Sequence, residues 1–456
     1  MIITVWDILL TPIYLLLILY FAKRKKNKYI EQRPEYKFYI PGLLVKCIAS
    51  ILFCLVYVFY YGGGDTTAYY EGGNKMLNLL LQYPDRYFKI FFSKADINNM
   101  LLFDYNTGWP PQWLFVEDYA LNVMKLTSLL LLPSFRNYIV TTILLAWLSY
   151  SGIWRLYLMF CELFPKLYKK FALAFLFIPS LIFWGSGLLK DPISLSAVCW
   201  FTYTLYLIFI KKEKVFFNSF RFILSLLVII LFKPYIVFSL VPGSILWISY
   251  EKIKSIKSVF IRFIYTPIII VFAFLSFQFF ISTFGNKLGK FSVDNVLERA
   301  VITQQDLAHN ALYGKNSFDI GTFDPTIKGI SSKAHIAIVA GIFRPYIWEA
   351  RTPFSLISSL ENLFFLIFTL FIIFKYGPVN IFRYISNEPL LLFSLIFSIF
   401  FAFTIGLTTA NFGALVRYKI PLIPFYLSSL YILQYLHKIN SVEKDKLINN
   451  DYVVMQ

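Results

Sequence analysis

The chain has 456 residues, of which 58% are hydrophobic and only 15% are charged. A soluble protein of this size needs a polar surface that so few charged side chains cannot supply, so the composition excludes most cytosolic enzymes. The formal net charge of +18 would point to nucleic acid in a soluble protein. In a membrane protein it points first to cytoplasmic loops and lipid headgroups, and we expect no nucleic-acid partner.

Apolar segments long enough to cross a bilayer, about 20 residues, recur along the chain. The sequence therefore predicts an all-α polytopic membrane protein with a single transmembrane domain over residues 1–456. The eleven or so expected spans are residues 3–22, 40–61, 138–160, 171–188, 193–210, 221–232, 235–250, 263–283, 355–374, 390–410 and 416–436.

Only Lys233 and Pro234 separate the sixth predicted span from the seventh. Proline removes a backbone donor and breaks a helix, and a lysine is costly in the hydrocarbon layer. Two short helices that meet at the outer membrane surface satisfy both constraints. A single kinked helix with a snorkelling lysine is the alternative.

Basic residues indicate the orientation, because cytoplasmic loops carry an excess of Lys and Arg. The short connections hold most of these residues, whereas the two long connections, residues 62–137 and 284–354, hold fewer per residue. Alternating the predicted spans places every lysine-rich connection on one side and both long loops on the other. We expect a multi-pass protein of the cytoplasmic (inner) membrane, with its N-terminus outside and its C-terminus inside.

Both long extracytoplasmic loops are expected to be structured. In loop 62–137, apolar stretches at residues 87–92 and 120–133 predict helices that lie in the membrane interface. In loop 284–354, residues 294–309 place apolar side chains on one helical face.

Charged residues interrupt the apolar segments in six stretches, and the predicted topology puts all of them at the outer face. Charges at one membrane depth predict a polar cavity that opens to the exterior. Its cations would suit a phosphate or diphosphate, because the arginine fork matches phosphate oxygens. The interrupting residues are Asp65, Lys190, Asp191, Lys233, Arg344, Glu349, Arg351, Glu361 and Arg417.

These residue types predict glycosyl transfer. Asp65 follows three glycines, so the backbone can bend closely around a ligand there, although an Asx turn is the alternative interpretation. Its carboxylate would accept a proton from an acceptor hydroxyl while cations hold the leaving phosphate, which is inverting single displacement. The expected phosphate ligands are Lys190, Lys233, Arg344, Arg351 and Arg417. Asp191 and Glu349 would orient these cations or replace Asp65 as the base. Tyr69, Trp184 and Trp348 would stack on sugars or lie in the interfacial aromatic belt.

A carboxylate just after a span, in the first large outer loop, resembles the GT-C membrane glycosyltransferases. The string GDTTAYY resembles that loop, and PSLIFWGSGLLKD, FRPYIWEA and RYKIPLIP resemble stretches of bacterial envelope-glycan proteins. The resemblance implies a GT-C-like fold and a catalytic base at Asp65. It also implies a polyprenyl-phosphate-linked sugar as donor and a glycan, lipid or protein as acceptor.

Two other functions stay open. The same Asp-Thr-Tyr pattern resembles EpsG-like and O-antigen polymerases, which join lipid-linked repeat units; in them Arg344, Arg351 and Arg417 would matter more than Asp65. A lipid-linked oligosaccharide flippase or an ion-coupled transporter would also bury charges, but such proteins usually place them near the midplane and often show repeats.

No cofactor is expected. The three histidines lack zinc-ligand spacing, and no phosphate-cradling or dinucleotide-binding glycine motif is present. A divalent ion bridging Asp65 and a donor phosphate is left open, since no second carboxylate adjoins Asp65.

Overall fold

The computed structural model describes residues 2–254, 318, 320–321, 327–409 and 411–454. The regular elements in these ranges are helices, which confirms the all-α prediction. The chain divides into two compact units. The first comprises Met1–Met159 and Phe175–Pro234, and the second comprises Phe160–Ala174 and Tyr235–Gln456.

Seven helices in the described part of the chain are long and apolar enough to cross a membrane. Each coincides with one of the predicted spans, and together they make this an α-helical polytopic membrane protein. They are Val5–Tyr29, Pro34–Tyr60, Tyr138–Leu163, Lys190–Ile210, Val215–Phe232, Pro353–Tyr376 and Pro389–Thr408.

The other four predicted spans differ from these seven. The helix Tyr235–Lys254 has a shorter apolar part, Tyr235–Tyr250. Predicted span 263–283 lies outside the described residues, as does most of loop 284–354 with its predicted helix 294–309. Predicted span 171–188 is not one continuous helix, because Pro179 starts a new helix that ends at Trp184. Span 416–436 is likewise interrupted by turns at residues 419–422, around Pro421.

The α-helices up to Pro234 alternate long apolar segments with shorter ones. Three of them, α2, α7 and α9, continue into a π-helical turn. The helices are α1 (Val5–Tyr29), α2 (Tyr39–Leu55), α3 (Asp65–Gln82), α4 (Pro84–Phe92), α5 (Asp118–Leu131), α6 (Tyr138–Leu163), α7 (Tyr168–Ala172), α8 (Pro179–Trp184), α9 (Lys190–Leu205) and α10 (Val215–Phe232).

The first long loop is structured, as predicted. Helices α4 and α5 cover the two stretches where the sequence predicts helices, and the Tyr87 hydroxyl on α4 bonds to Ser128 on α5 at 3.0 Å. The position of these helices in the membrane interface stays a prediction.

From Tyr235 onward the described α-helices are α11 (Tyr235–Lys254), α12 (Ile327–Ser332), α13 (Ala334–Phe343), α14 (Pro353–Tyr376), α15 (Pro378–Asn387), α16 (Pro389–Thr408), α17 (Phe412–Tyr418) and α18 (Ile423–Val454). Lys233 and Pro234 fall between α10 and α11, so the chain forms two helices there, as the first interpretation expects.

Helices α13 and α16 pack backbone to backbone in the second unit. A Cβ on Gly341 would collide with the backbone of Ala402, and a Cβ on Gly406 would collide with the backbone of Ala337. Small residues permit such close approach, and it is the usual means of helix association in membranes. This packing fixes the end of α13, where Arg344 follows.

Candidate functional site

Asp65 begins α3 directly after a bend that only glycines adopt easily. Gly62, Gly63 and Gly64 have φ angles of 68°, 128° and 141°, in the region where a Cβ is strained. The hydroxyl of Thr67 accepts the Gly64 N–H at 3.0 Å and donates to the Gly64 carbonyl at 2.9 Å, which locks the bend. Asp65 thus stands half-buried in the first turn of a helix, where the helix dipole stabilises a carboxylate.

The structure brings Asp191 and Lys233 together inside the first unit. Asp191 lies in the first turn of α9, and Lys233 directly follows the last residue of α10 as its C-cap. Their charged groups are 2.5 Å apart, and the two side chains are 0% and 4% exposed. The charge on Lys233 is therefore balanced within the protein, while neighbouring Lys190 is half-buried.

An apolar groove of about 520 Å³ runs along α9 and α10 in the same unit. Its walls include Ile193 and Trp200 on α9 and Arg221 and Val228 on α10. The volume is in the range of about 300–1,000 Å³ typical of ligand pockets. In a membrane protein, a groove of this lining can hold a hydrocarbon chain.

Arg344 and Glu349 form the corresponding pair of the second unit. Arg344 Nε donates to both carboxylate oxygens of Glu349, at 3.0 and 3.2 Å, and its Nη2 donates to Oε1 as well. The backbone N–H of Tyr346 donates to the same carboxylate at 2.8 Å. Both side chains keep some exposure, 19% for Arg344 and 14% for Glu349.

Aromatic rings surround the Arg344 guanidinium. It lies 4.6 Å from the ring centre of Phe318, 5.5 Å from that of Phe412 and 5.9 Å from that of Tyr346. Such cation–π contacts favour a fixed cation over a freely hydrated one. Burial raises the pKa of the Tyr346 phenol, although the charge of Arg344 opposes this. The guanidinium is therefore held in place and remains partly accessible.

Lys419 supports the segment that carries Arg344, and the sequence analysis did not identify it. This buried lysine donates to the side-chain oxygen of Asn362 and to the carbonyl of Arg344, the latter at 3.2 Å. Asn362 in turn donates to the Pro345 carbonyl at 3.1 Å. Glu361, 8% exposed, attracts the lysine electrostatically. A lysine inside a predicted span was the available signal, because ionisable residues in membrane helices rarely lack a role.

Lys46 and Asp7 are among the buried charged residues of the first unit that were also missed. Lys46 on α2 donates to the Gly185 carbonyl, and Asp7 on α1 accepts the N–H of Ile139 at 3.1 Å as well as that of Thr4 at 2.8 Å. Both charged groups satisfy backbone atoms at or near helix ends, so their arrangement is that of structural residues.

The remaining predicted site residues differ in exposure. Arg351 is exposed, and Arg417 is half-buried in the last turn of α17. Tyr69 is completely buried, 5.7 Å from the ring of Trp113, and Trp184 packs against Phe53 in the interior. Among the three predicted sugar-contact rings, Trp348 is the accessible one: it is 75% exposed and stacked on Tyr346 at 4.9 Å.

Among the described residues, no three His, Cys, Asp or Glu side chains form a group that would hold a metal ion. All four cysteines are buried and unbridged. No family model matches the chain, and neither a curated protein nor a solved structure matches it.

Proposed function

We propose that the protein is a membrane glycosyltransferase that moves a sugar from a polyprenyl-(di)phosphate carrier to an envelope glycan, lipid or protein acceptor. The transfer takes place at the outer face of the cytoplasmic membrane. The observation that carries this proposal is Arg344, a partly exposed guanidinium that Glu349 and the aromatic rings hold in place. Such a cation is preorganised for a phosphate, because its orientation is fixed before the ligand arrives.

Two features of the first unit support a lipid-linked donor. The groove along α9 and α10 offers apolar walls for a polyprenyl chain. The glycine bend places Asp65 at the start of a helix. The three glycines before it have no side chains, so a ligand can approach the backbone there.

In the proposed reaction, the Asp65 carboxylate takes the proton from an acceptor hydroxyl. The hydroxyl oxygen bonds to the anomeric carbon of the sugar as the bond from that carbon to the phosphate oxygen breaks. The configuration inverts, and the electron pair leaves with the polyprenyl (di)phosphate. Arg344, Arg351 and Arg417 are assigned to the phosphate, with Lys190 as a further ligand, and Trp348 is assigned to a sugar face.

Lys233 and Asp191 take a different role in this mechanism. Since their charges neutralise each other in the interior, we assign them to fixing the helix ends near Lys190. Glu349 orients Arg344, or it acts as the base in place of Asp65.

The test is single-turnover transfer by the full chain in lipid nanodiscs, with a polyprenyl-phosphate or polyprenyl-diphosphate sugar as donor. Asp65→Asn should lower the rate by roughly 10²–10⁴-fold, the usual contribution of a general base, and should leave donor binding unchanged. Glu71→Gln, which changes a carboxylate two turns further along α3, is the matched control. An Asp65→Asn protein that retains its activity would remove Asp65 from the mechanism.

Polymerisation of lipid-linked repeat units is the second candidate, favoured by the fixed arginine Arg344. It predicts products that grow by whole repeat units when the donor carries an oligosaccharide. Translocation of the donor with no release of polyprenyl (di)phosphate would instead indicate a flippase and would contradict both transfer reactions.

A further inference from the structure

A second cationic region of the second unit is separate from Arg344. A cavity of about 880 Å³ opens between residues 166–170, the end of α14 and the middle of α18. Among the described residues that line it, none has an acidic side chain. The cationic lining residues are Lys166, Lys170, Lys375 and Lys438, with His437 beside them.

The cavity and the Arg344 pair lie at opposite ends of α14. This helix has 24 residues and is therefore about 36 Å long, more than the roughly 30 Å of a bilayer's hydrocarbon core. Pro353 at its start follows the Arg344 segment closely, whereas Lys375 and Tyr376 at its end line the cavity. With α14 across the membrane, the cavity faces the cytoplasm when Arg344 faces outward.

Neighbouring side chains hold Lys170 and His437 in place at the cavity. Lys170 donates to the side-chain oxygen of Gln434, and its ammonium lies 5.3 Å from the ring centre of Tyr431. His437 stacks on Tyr376 with ring centres 4.0 Å apart.

The lysines also repel one another. Partial burial, and then the charge of Lys438, lower the pKa of Lys170, so an anion bound beside these two lysines would offset their repulsion. The positive-inside bias alone accounts for lysines at a cytoplasmic end. It does not account for four of them around one cavity, nor for the Gln434 amide and the Tyr431 ring that fix the position of Lys170.

We propose that this cavity binds a phosphate-bearing anion through Lys166, Lys170, Lys375 and Lys438. The phosphate belongs either to the headgroup of a lipid in the adjacent leaflet or to a free phosphate compound. The site is independent of the proposed sugar transfer, because it lies at the other end of α14 and uses none of the residues assigned to that reaction.

The experiment uses the full chain in detergent without anionic lipid, and two probes. Inorganic pyrophosphate represents a free phosphate compound, and its binding is measured by titration calorimetry. For the lipid source, the chain is placed in nanodiscs of phosphatidylcholine with or without phosphatidylglycerol, and retained lipid is counted by native mass spectrometry. We expect saturable binding of at least one probe, which weakens as salt rises.

Lys170→Gln should weaken that binding roughly tenfold, which corresponds to the loss of one charge-assisted contact. Lys169→Gln is the matched control, because this exposed neighbour carries the same charge in the same segment without lining the cavity. Lys375→Gln provides a second test on another helix if Lys170→Gln fails to fold.

Pyrophosphate binding that depends on Lys170 would identify a free phosphate compound, and Lys170-dependent retention of phosphatidylglycerol would identify a lipid. Binding of neither probe would overturn the proposal. Equal weakening by Lys169→Gln and Lys170→Gln would do the same, since it would show a diffuse charge effect and no site. Loss of sugar transfer in Asp65→Asn leaves all these results unchanged, so the two proposals fail separately.

Discussion

Two acid–base pairs, one in each unit, show how burial changes what a charge can do. Asp191 and Lys233 are sealed in the first unit with 0% and 4% of their side chains exposed. Arg344 and Glu349 keep 19% and 14% of theirs exposed in the second unit. Both pairs stand at helix ends and both follow from charged residues that interrupt apolar runs, so the sequence alone did not distinguish them.

The difference in exposure suits the two pairs to different roles. A sealed pair has lost its hydration, and each charge depends on the other, so that removal of one partner strands the second. A pair with an accessible face can bind a further anion without dissociating, because the arginine retains unused N–H donors. Lys233 and Asp191 therefore depend on each other in the interior of the first unit, whereas under the proposed function Arg344 is the better phosphate ligand.

The strongest test of this comparison is Asp191→Asn. It leaves the Lys233 ammonium buried without its counter-charge, and we expect the free energy of unfolding to fall by roughly 3–5 kcal/mol. Thermal unfolding in detergent, with size-exclusion chromatography as the readout, compares the stability of this variant with that of the wild type.

The matched change at the other pair is Glu349→Gln, which should cost much less because water reaches Arg344. Replacing both buried charges, with Asp191→Asn and Lys233→Met together, should recover most of the lost stability. A single Asp191→Asn protein as stable as the wild type would show that the sealed pair is not structural.

The next largest expected effect is a fall in donor affinity in Arg344→Gln. The substitution removes charge-assisted hydrogen bonds worth about 1.5–3 kcal/mol. The affinity for the polyprenyl-phosphate-linked sugar should therefore fall by roughly ten- to a hundredfold. The loss of stability should be smaller than in Asp191→Asn, because both side chains of this pair keep some exposure to water. Donor titration in nanodiscs gives the affinity.

Arg344→Lys is the informative companion, because it keeps the charge and removes the planar fork. We expect it to retain only part of the affinity. Wild-type donor affinity in Arg344→Gln would contradict the assignment of this residue to the phosphate.

The sequence predicts those features of the fold that depend on local chemistry. The triple glycine before Asp65 predicts the bend, and Lys233-Pro234 predicts the break between α10 and α11. The apolar stretches of loop 62–137 predict α4 and α5. Each of these depends on backbone preference or hydrophobicity within a few residues, and such signals can be read without knowledge of the rest of the chain.

Features that depend on distant partners were not predictable in this way. Lys419 lies near the start of predicted span 416–436, which marks it as unusual, but its role emerges only from Asn362 and the carbonyl of Arg344, far away in sequence. Tyr69 and Trp184 have the same residue types as interfacial aromatics, yet tertiary packing buries both. Hydropathy averages likewise hid the effect of Pro179 within predicted span 171–188.

The smallest expected effect concerns the accessible aromatic residue beside Arg344. Trp348→Ala removes an exposed ring that stacks on Tyr346, so stability should change by about 0.5 kcal/mol or less. If the ring stacks on the donor sugar, KM should rise by a few-fold, in keeping with the roughly 0.5–1.5 kcal/mol of an aromatic contact. Trp348→Phe keeps a ring and should retain most of the affinity. Trp184→Ala, by contrast, removes a buried ring and should lower the free energy of unfolding by roughly 3–5 kcal/mol. An unchanged KM in Trp348→Ala would show that this ring does not contact the sugar and belongs to the interfacial aromatic belt. Arg344 would then be the accessible residue of this region that is assigned to the donor.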